Sequence, residues 1–244
     1  MCTVSVLRLP GDLLRVACNR DEQETRAAAL PPVVRRVGGR RAVMPIDPVS
    51  GGTWIAANDA GVVLALLNFN RPGSSDTPAP RSRGVIIPSL LGEASVWAVV
   101  GRARSLSPAS FGPFRLAVLD RTDGAEVVSD GRTLCVRRVG GDGDAATLFT
   151  SSGLGDHLVR RPRTELFERM LAAEVSAATQ NAFHRHAWAD RPHLSVRMRR
   201  DGARTVSTTV VEVSAEGIEM SYRPEDAAAF PDAVSLAAGG VPCG

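Results

Sequence analysis

The feature that most constrains this chain is where its first strand pattern begins. Residues 2 to 9 (CTVSVLRL) and 13 to 18 (LLRVAC) are short runs rich in β-formers, joined by Pro10-Gly11-Asp12. That tripeptide is turn chemistry, so the two runs predict a hairpin that opens at residue 2. TWIAAN (53 to 58), the Asp59-Ala60-Gly61 turn and VVLALLNF (62 to 69) predict a second hairpin, its later strand apolar enough for burial on both faces. The two hairpins are expected to lie in one sheet.

Further along, SLLGEASVWAVVGRAR predicts a helix from about 87 to 104, and strands follow at 114 to 120, 125 to 129 and 133 to 139. Pro162 is expected to start the longest helical pattern, 163 to 187, ahead of strands near 193 to 200, 205 to 213 and 217 to 222. Arg71 to Arg83 is a Pro/Ser/Arg-rich loop, long enough to cover a site. Strands, one helix, more strands, a long helix and more strands argue for an α+β layered domain rather than alternating parallel α/β. One domain over 1 to 244 is expected, with a weakly structured tail from about 230.

Composition narrows the chemistry. All 29 basic residues are arginine, so no phosphate-loop lysine, Schiff base or lysine general base is available. The arginine pairs at 35/36, 40/41, 137/138, 160/161 and 199/200 are scattered without interleaved aromatics, which argues against a nucleic-acid partner. Four cysteines (Cys2, Cys18, Cys135, Cys243) show no C-x-x-C spacing, and the four histidines lack the i,i+4 geometry of a helical zinc pair. Neither a metal nor a cofactor is expected. No apolar run reaches the length of a membrane span, and Arg8, Asp12, Arg15 and Arg20 interrupt any secretory leader, so a cytoplasmic location is expected.

Cys2 carries the most chemical meaning. If Met1 is removed, one residue holds both a thiol and a free α-amine, and an amine of pKa about 7.7 to 8.0 can act as base toward a thiol of about 8.5. The hairpin register brings Asn19-Arg20-Asp21-Glu22, read as emerging onto a loop, alongside Cys2. There the Arg20 guanidinium would favour the thiolate, and Asp21 could orient the α-ammonium. Asn68, ending the buried LALLN run, offers a carboxamide as oxyanion donor. The alternatives are a core cysteine, a charged turn and a strand-end Asn bonding the backbone.

MCTVSV at the start, NRDE at 19 to 22, Asp47 before GGTW (51 to 54), AN-x-x-G (57 to 61), LLNFNRP (66 to 72) and SRG (82 to 84) occur in this order. Together they resemble the NRDE family, also called the transport and Golgi organisation protein two family. SSGLGD (151 to 156), PR-x-x-LF (162 to 167) and STTVVEV (207 to 213) are later echoes. The resemblance implies an N-terminal-nucleophile (Ntn) hydrolase fold, a four-layer αββα sandwich. It implies Cys2 as nucleophile, Arg20 and Asp21 as its polarising and orienting partners, and Asn68 as oxyanion donor. Asn19, Trp54, Ser151 and Arg204 are the implied substrate-binding positions. Two departures stand out against the cysteine hydrolases of that fold. Arg20 precedes Asp21 by one position rather than three, and Thr150-Ser151-Ser152 replaces a segment containing a second Asn. The resemblance implies hydrolysis of a linear amide or thioester, or else a haem or acyl-lipid carrier using the same pocket, or an interaction scaffold.

Overall fold

The computed structural model describes residues 2–70, 80–140, 145–227 and 233–239. Met1, most of the loop expected to cover the site, and Cys243 lie outside these residues. In chain order, β1 (Cys2–Leu9), β2 (Leu13–Gln23), β3 (Leu30–Val37), β4 (Arg40–Ile46), β5 (Ile55–Asn58) and β6 (Val63–Asn68) precede α1 (Ile86–Leu90) and α2 (Val96–Ala103). Then come β7 (Phe114–Leu119), β8 (Gly124–Ser129), β9 (Leu134–Arg138), β10 (Ala146–Thr150), α3 (Asp156–Leu171) and α4 (Ala177–Arg185). The last strands are β11 (Arg199–Arg200), β12 (Ala203–Val213), β13 (Gly217–Pro224) and β14 (Val234–Ala237).

These strands form two antiparallel sheets. One runs β10-β1-β2-β12-β13-β14, with β11 paired to β12, and the other runs β3-β4-β5-β6-β7-β8-β9. The alternation of side chains along each strand explains how the layers stack. In β1, Cys2, Val4 and Val6 join Val63, Ala65 and Leu67 of β6 in a core between the sheets. Leu64 and Leu66 of β6 point the other way, into a core shared with Ile86, Ile87 and Leu90 of α1 and Val96 and Val99 of α2. Leu7 packs outward with Leu166 and Phe167 of α3 and Phe183 of α4. The result is an αββα sandwich. A one-residue slip of β1 or β6 would exchange its two faces, and each apolar side chain turned to solvent would forfeit roughly 1.5–3 kcal/mol, so the register is strongly fixed.

Several expectations are corrected. The first two hairpins lie in different sheets and face one another. The run Asn19 to Glu22 is not a loop: β2 continues through it to Gln23, because β1 pairs with it on one side and β12 on the other. The first expected helix is two helices, since Gly92 packs against Gly38, where a Cβ would meet a carbonyl at 3.0 Å, and Ser95 then caps α2 by accepting from the Ala98 amide. The long helix is also two: α3 begins at Asp156 with Pro162 inside it, and Ser176 caps α4. β3, β4, β10 and β14 were not foreseen, and β14 lies within the expected weakly structured tail. The AN-x-x-G motif is a built turn, with the Asn58 side-chain Oδ1 accepting from the Ala60 and Val62 amides and Gly61 at φ 82°.

Candidate active site

The β1–β2 ladder sets the site. The turn at Gly11 (φ 79°) and Asp12 (φ 57°) registers Cys2 opposite Arg20 and Val4 opposite Cys18. Cys2, Cys18 and Arg20 therefore share the inter-sheet face. Cys2 is only 3% exposed. The Cys18 thiol hydrogen-bonds the Cys2 sulfur and favours its thiolate; burial opposes this, and nearby positive charges, Arg20 among them, assist, so the Cys2 pKa is lowered. The same contact, with burial, pushes the Cys18 thiol well above its ordinary value, which makes Cys18 the donor.

Arg20 is held from the opposite sheet. Its guanidinium lies 4.3 Å from the centre of the Trp54 ring, and Nη2 donates to Asp47 Oδ2 at 3.2 Å. Asp47 Oδ2 also accepts from Arg26 at 3.1 and 2.6 Å, and Oδ1 accepts from the Val49 amide. Burial pushes this carboxyl up, but the bonds from Arg26 and Val49 and the charges of Arg26 and Arg20 hold it below the usual carboxylate range. Glu22 completes the cluster at 3.5 Å from Arg20 and 3.6 Å from Arg26. Trp54, expected to bind substrate, is thus the platform for Arg20, and its buried Nε1 has no acceptor among the described residues.

The Cys2 main-chain nitrogen donates to Ser151 Oγ at 3.1 Å, and the Ser151 amide donates to the Cys2 carbonyl at 3.0 Å. Ser151 thus meets the nitrogen of Cys2. Its loop is tied to the end of β6: the Asn70 side chain donates to the Ser152 carbonyl at 2.8 Å, and Asp156 accepts from the Ser152 and Asn70 amides at 2.9 and 3.2 Å. Asp21, one step beyond the Cys2–Arg20 pair, is buried on the helix side and accepts from Thr205 Oγ1 at 2.6 Å. Burial raises its pKa against the Arg163 charge and the Thr205 bond.

Three sequence-predicted positions go elsewhere. Asn19 fastens α4 to the sheet, donating to the carbonyls of His184 and Val196 and accepting from Thr208. Arg204 pairs with Asp226 at 2.9 and 3.0 Å on the surface. Asn68 lies opposite Phe114 on the face of β6 that carries Leu64 and Leu66, so its carboxamide is not brought to Cys2. Its main-chain N–H is placed differently. The Leu66 amide bonds Trp54 and the Phe69 amide bonds Pro113, so by alternation the Asn68 N–H faces the β5 side, beyond the first residue of β5. No acceptor for it is found among the described residues.

Sequence reasoning missed Cys18, Arg83 and Arg163. Cys18 was legible as the residue diagonal to Cys2 in the hairpin. Arg83 sits in the SRG motif, which locks onto GGTW: a Cβ at Gly52 would fall 2.2 Å from the Gly84 carbonyl oxygen, which accepts from the Thr53 amide at 3.0 Å. This contact sets Arg83 close enough for the charges of Glu22 and Cys2 to act on it. Arg163, in α3, donates to Thr3, Thr150 and the carbonyls of Leu194 and Ser195 beneath the sheet. Among the described residues no cluster of His, Cys, Asp or Glu could hold a metal ion, and no helix is long and apolar enough to cross a membrane.

Comparison with known structures finds the same architecture. The chain is similar to a mutant of the conjugated bile acid hydrolase from Clostridium perfringens, with TM-score 0.61 and 11% identity over 97% of this chain and 92% of the other. It is also similar to a Caenorhabditis elegans ortholog of N-acylethanolamine-hydrolyzing acid amidase, with TM-score 0.62 and 14% identity over 86% of this chain and 92% of that one. These are likenesses of fold, and the sandwich is that of the Ntn hydrolases. A search of curated protein sequences returns no match. The profile of the family described as Transport and Golgi organisation 2 matches residues 1–199, and the chain belongs to that family.

Proposed function

We propose that this protein is a cysteine Ntn hydrolase that cleaves a linear amide or thioester with Cys2 after removal of Met1. The observation that carries the reading is the 3.1 Å hydrogen bond between the Cys2 nitrogen and Ser151 Oγ, made beside a sulfur already supplied with a thiol donor. The atom that would be the catalytic base is thereby fixed next to the atom that would attack. The names of the two structural neighbours, which describe hydrolysis of a conjugated bile acid and of an N-acylethanolamine, are consistent with acyl-group chemistry.

In this reading the α-amine of mature Cys2 takes the thiol proton, and the sulfur attacks the scissile carbonyl carbon. Negative charge moves to the carbonyl oxygen, where the Asn68 main-chain N–H is the available donor. As the tetrahedral intermediate collapses, the α-ammonium returns its proton to the leaving nitrogen or sulfur, and the acyl group stays on Cys2. A water deprotonated by the same amine then releases the acid. Ser151 orients the nitrogen throughout, while Arg20, held by Trp54 and Asp47, and the Cys18 thiol favour the thiolate. The test is a panel of acyl-amides and acyl-thioesters assayed for acid release with the parent protein and Cys2→Ala. Release that is lost in Cys2→Ala is expected. Release that survives the substitution, or tight binding with no turnover by the parent, would refute the assignment, the latter in favour of a carrier.

A further inference from the structure

Three guanidiniums and two carboxylates meet around the Cys2 end of the inter-sheet core. Arg20 and Arg26 are both bonded to Asp47 and lie near Glu22. Arg83 is the third cation, and among the described residues it makes no ion pair. One of its donors, Nη1, is used on the Pro113 carbonyl at 2.9 Å, the oxygen that also accepts from the Phe69 amide. Gly112 lies flat beside the group, its ideal Cβ position 3.4 Å from Nη1 and 3.6 Å from Cζ. Arg83 is thus anchored at the end of β6, one residue from the Asn68 N–H, and among the described residues its Nε–Nη2 edge has no acceptor. Burial lowers its pKa, and the charges of Glu22 and Cys2 only partly offset that loss of water.

We infer that Arg83 is the substrate-recognition residue for a carboxylate, and that the protein's substrates are acyl conjugates carrying a carboxylate a few bonds from the scissile carbonyl, as in an N-acyl amino acid. The inference rests on the proposed hydrolase reading for the word substrate, but anion recognition itself needs no chemistry. The open guanidinium edge offers two parallel N–H donors, which matches a carboxylate better than a single-oxygen acceptor. Among these five side chains the charge is three positive against two negative while the Cys2 thiol keeps its proton, so a bound carboxylate brings them to balance.

The experiment separates recognition from catalysis by using the full chain carrying Cys2→Ala, which cannot form an acyl-enzyme. Its affinities for N-octanoylglycine and for the neutral N-octanoylglycinamide are measured by calorimetry. The glycine conjugate is expected to bind roughly tenfold or more tighter, as for hydrogen bonds to a charged partner. Adding Arg83→Met should equalise the two, and Arg83→Lys, which keeps the charge but not the fork, should leave an intermediate preference. Unchanged affinity for the glycinamide in these variants checks that the site still folds; if Arg83→Met does not fold, the parent ratio and Arg83→Lys decide. Equal affinities in the Arg83 protein, no binding of either ligand, or a preference that survives Arg83→Met or is undiminished in Arg83→Lys would overturn the inference. Failure of the hydrolase reading would show instead as carboxylate preference here with no acid release by the parent.

Discussion

On the helix side of β2, Asn19 and Asp21 are enclosed by fixed partners: two carbonyls and the Thr208 hydroxyl for one, Thr205 and the field of Arg163 for the other. On the inter-sheet side, Arg20 stacks on an indole whose N–H has no acceptor among the described residues, beside a lowered thiol. Adjacent residues of one strand thus serve different purposes. Where the buried donors of the described residues have found their acceptors, the polar network holds the layers together; where donors remain over among those residues, the proposed site has groups for a ligand to satisfy.

The comparison can be broken most forcefully at Arg163. Its guanidinium is 1% exposed and serves two hydroxyls and two carbonyls, so Arg163→Met leaves four acceptors and Asp21 uncompensated. A loss of about 3–5 kcal/mol in urea unfolding is expected. A loss below 1 kcal/mol would mean the network is not structural.

Acid should act on the helix side next. His184 is buried between Ser5 and Asn19, and burial first, then the charges of Arg15 and Arg163, lower its pKa to about 3. The unfolded imidazole takes up a proton below its ordinary value of 6.5 while the folded one does not. Stability should therefore fall as pH drops from there toward 3, by up to roughly 1.4 kcal/mol per unit. His184→Gln should flatten that limb. The Asp47 carboxyl, lowered in the fold, contributes stability above the ordinary carboxylate range that is lost at still lower pH, and Asp47→Asn should flatten only that part.

The inter-sheet side is sharpened by alkylation kinetics at neutral pH. Cys18→Ala removes the largest influence favouring the Cys2 thiolate and should slow iodoacetamide labelling of Cys2 by roughly an order of magnitude, as for one hydrogen bond to a charged group. Arg20→Met should slow it less, because Arg20 acts only through its charge. The reverse order would assign the activation to Arg20. The smallest effect is expected from Ser151→Ala, about 1 kcal/mol or less in stability, with slower release of any acyl group from Cys2 because the nitrogen loses its fixed acceptor.

Much of this was legible before the structure. A turn at Pro10-Gly11-Asp12 folds the second run back along the first, which is why the run Asn19 to Glu22 could be placed alongside Cys2 from sequence alone, while the pairing of Arg20 with Cys2 came from the structure. The continuation of β2 through Asn19 to Gln23 was hidden because its polar residues are buried by partners distant in sequence, β12 above all. β3 was hidden by Pro31-Pro32 and Arg35-Arg36, which mask an edge strand's alternation. The direction of Asn68 depended on which sheet receives the second hairpin, a tertiary choice that local pattern does not encode. Arg83 lay in a motif whose purpose, the approach of Gly84 to Gly52, exists only in three dimensions.

The most direct test of the central claim is intact mass spectrometry of the native, untagged chain, quenched during incubation with N-octanoylglycine and followed by analysis of the N-terminal peptide. The account predicts a chain lacking Met1 and carrying an octanoyl group on Cys2, an adduct that decays as free acid accumulates. A chain that retains Met1, or one that releases acid with no acyl group on Cys2 at any quench time, would contradict it.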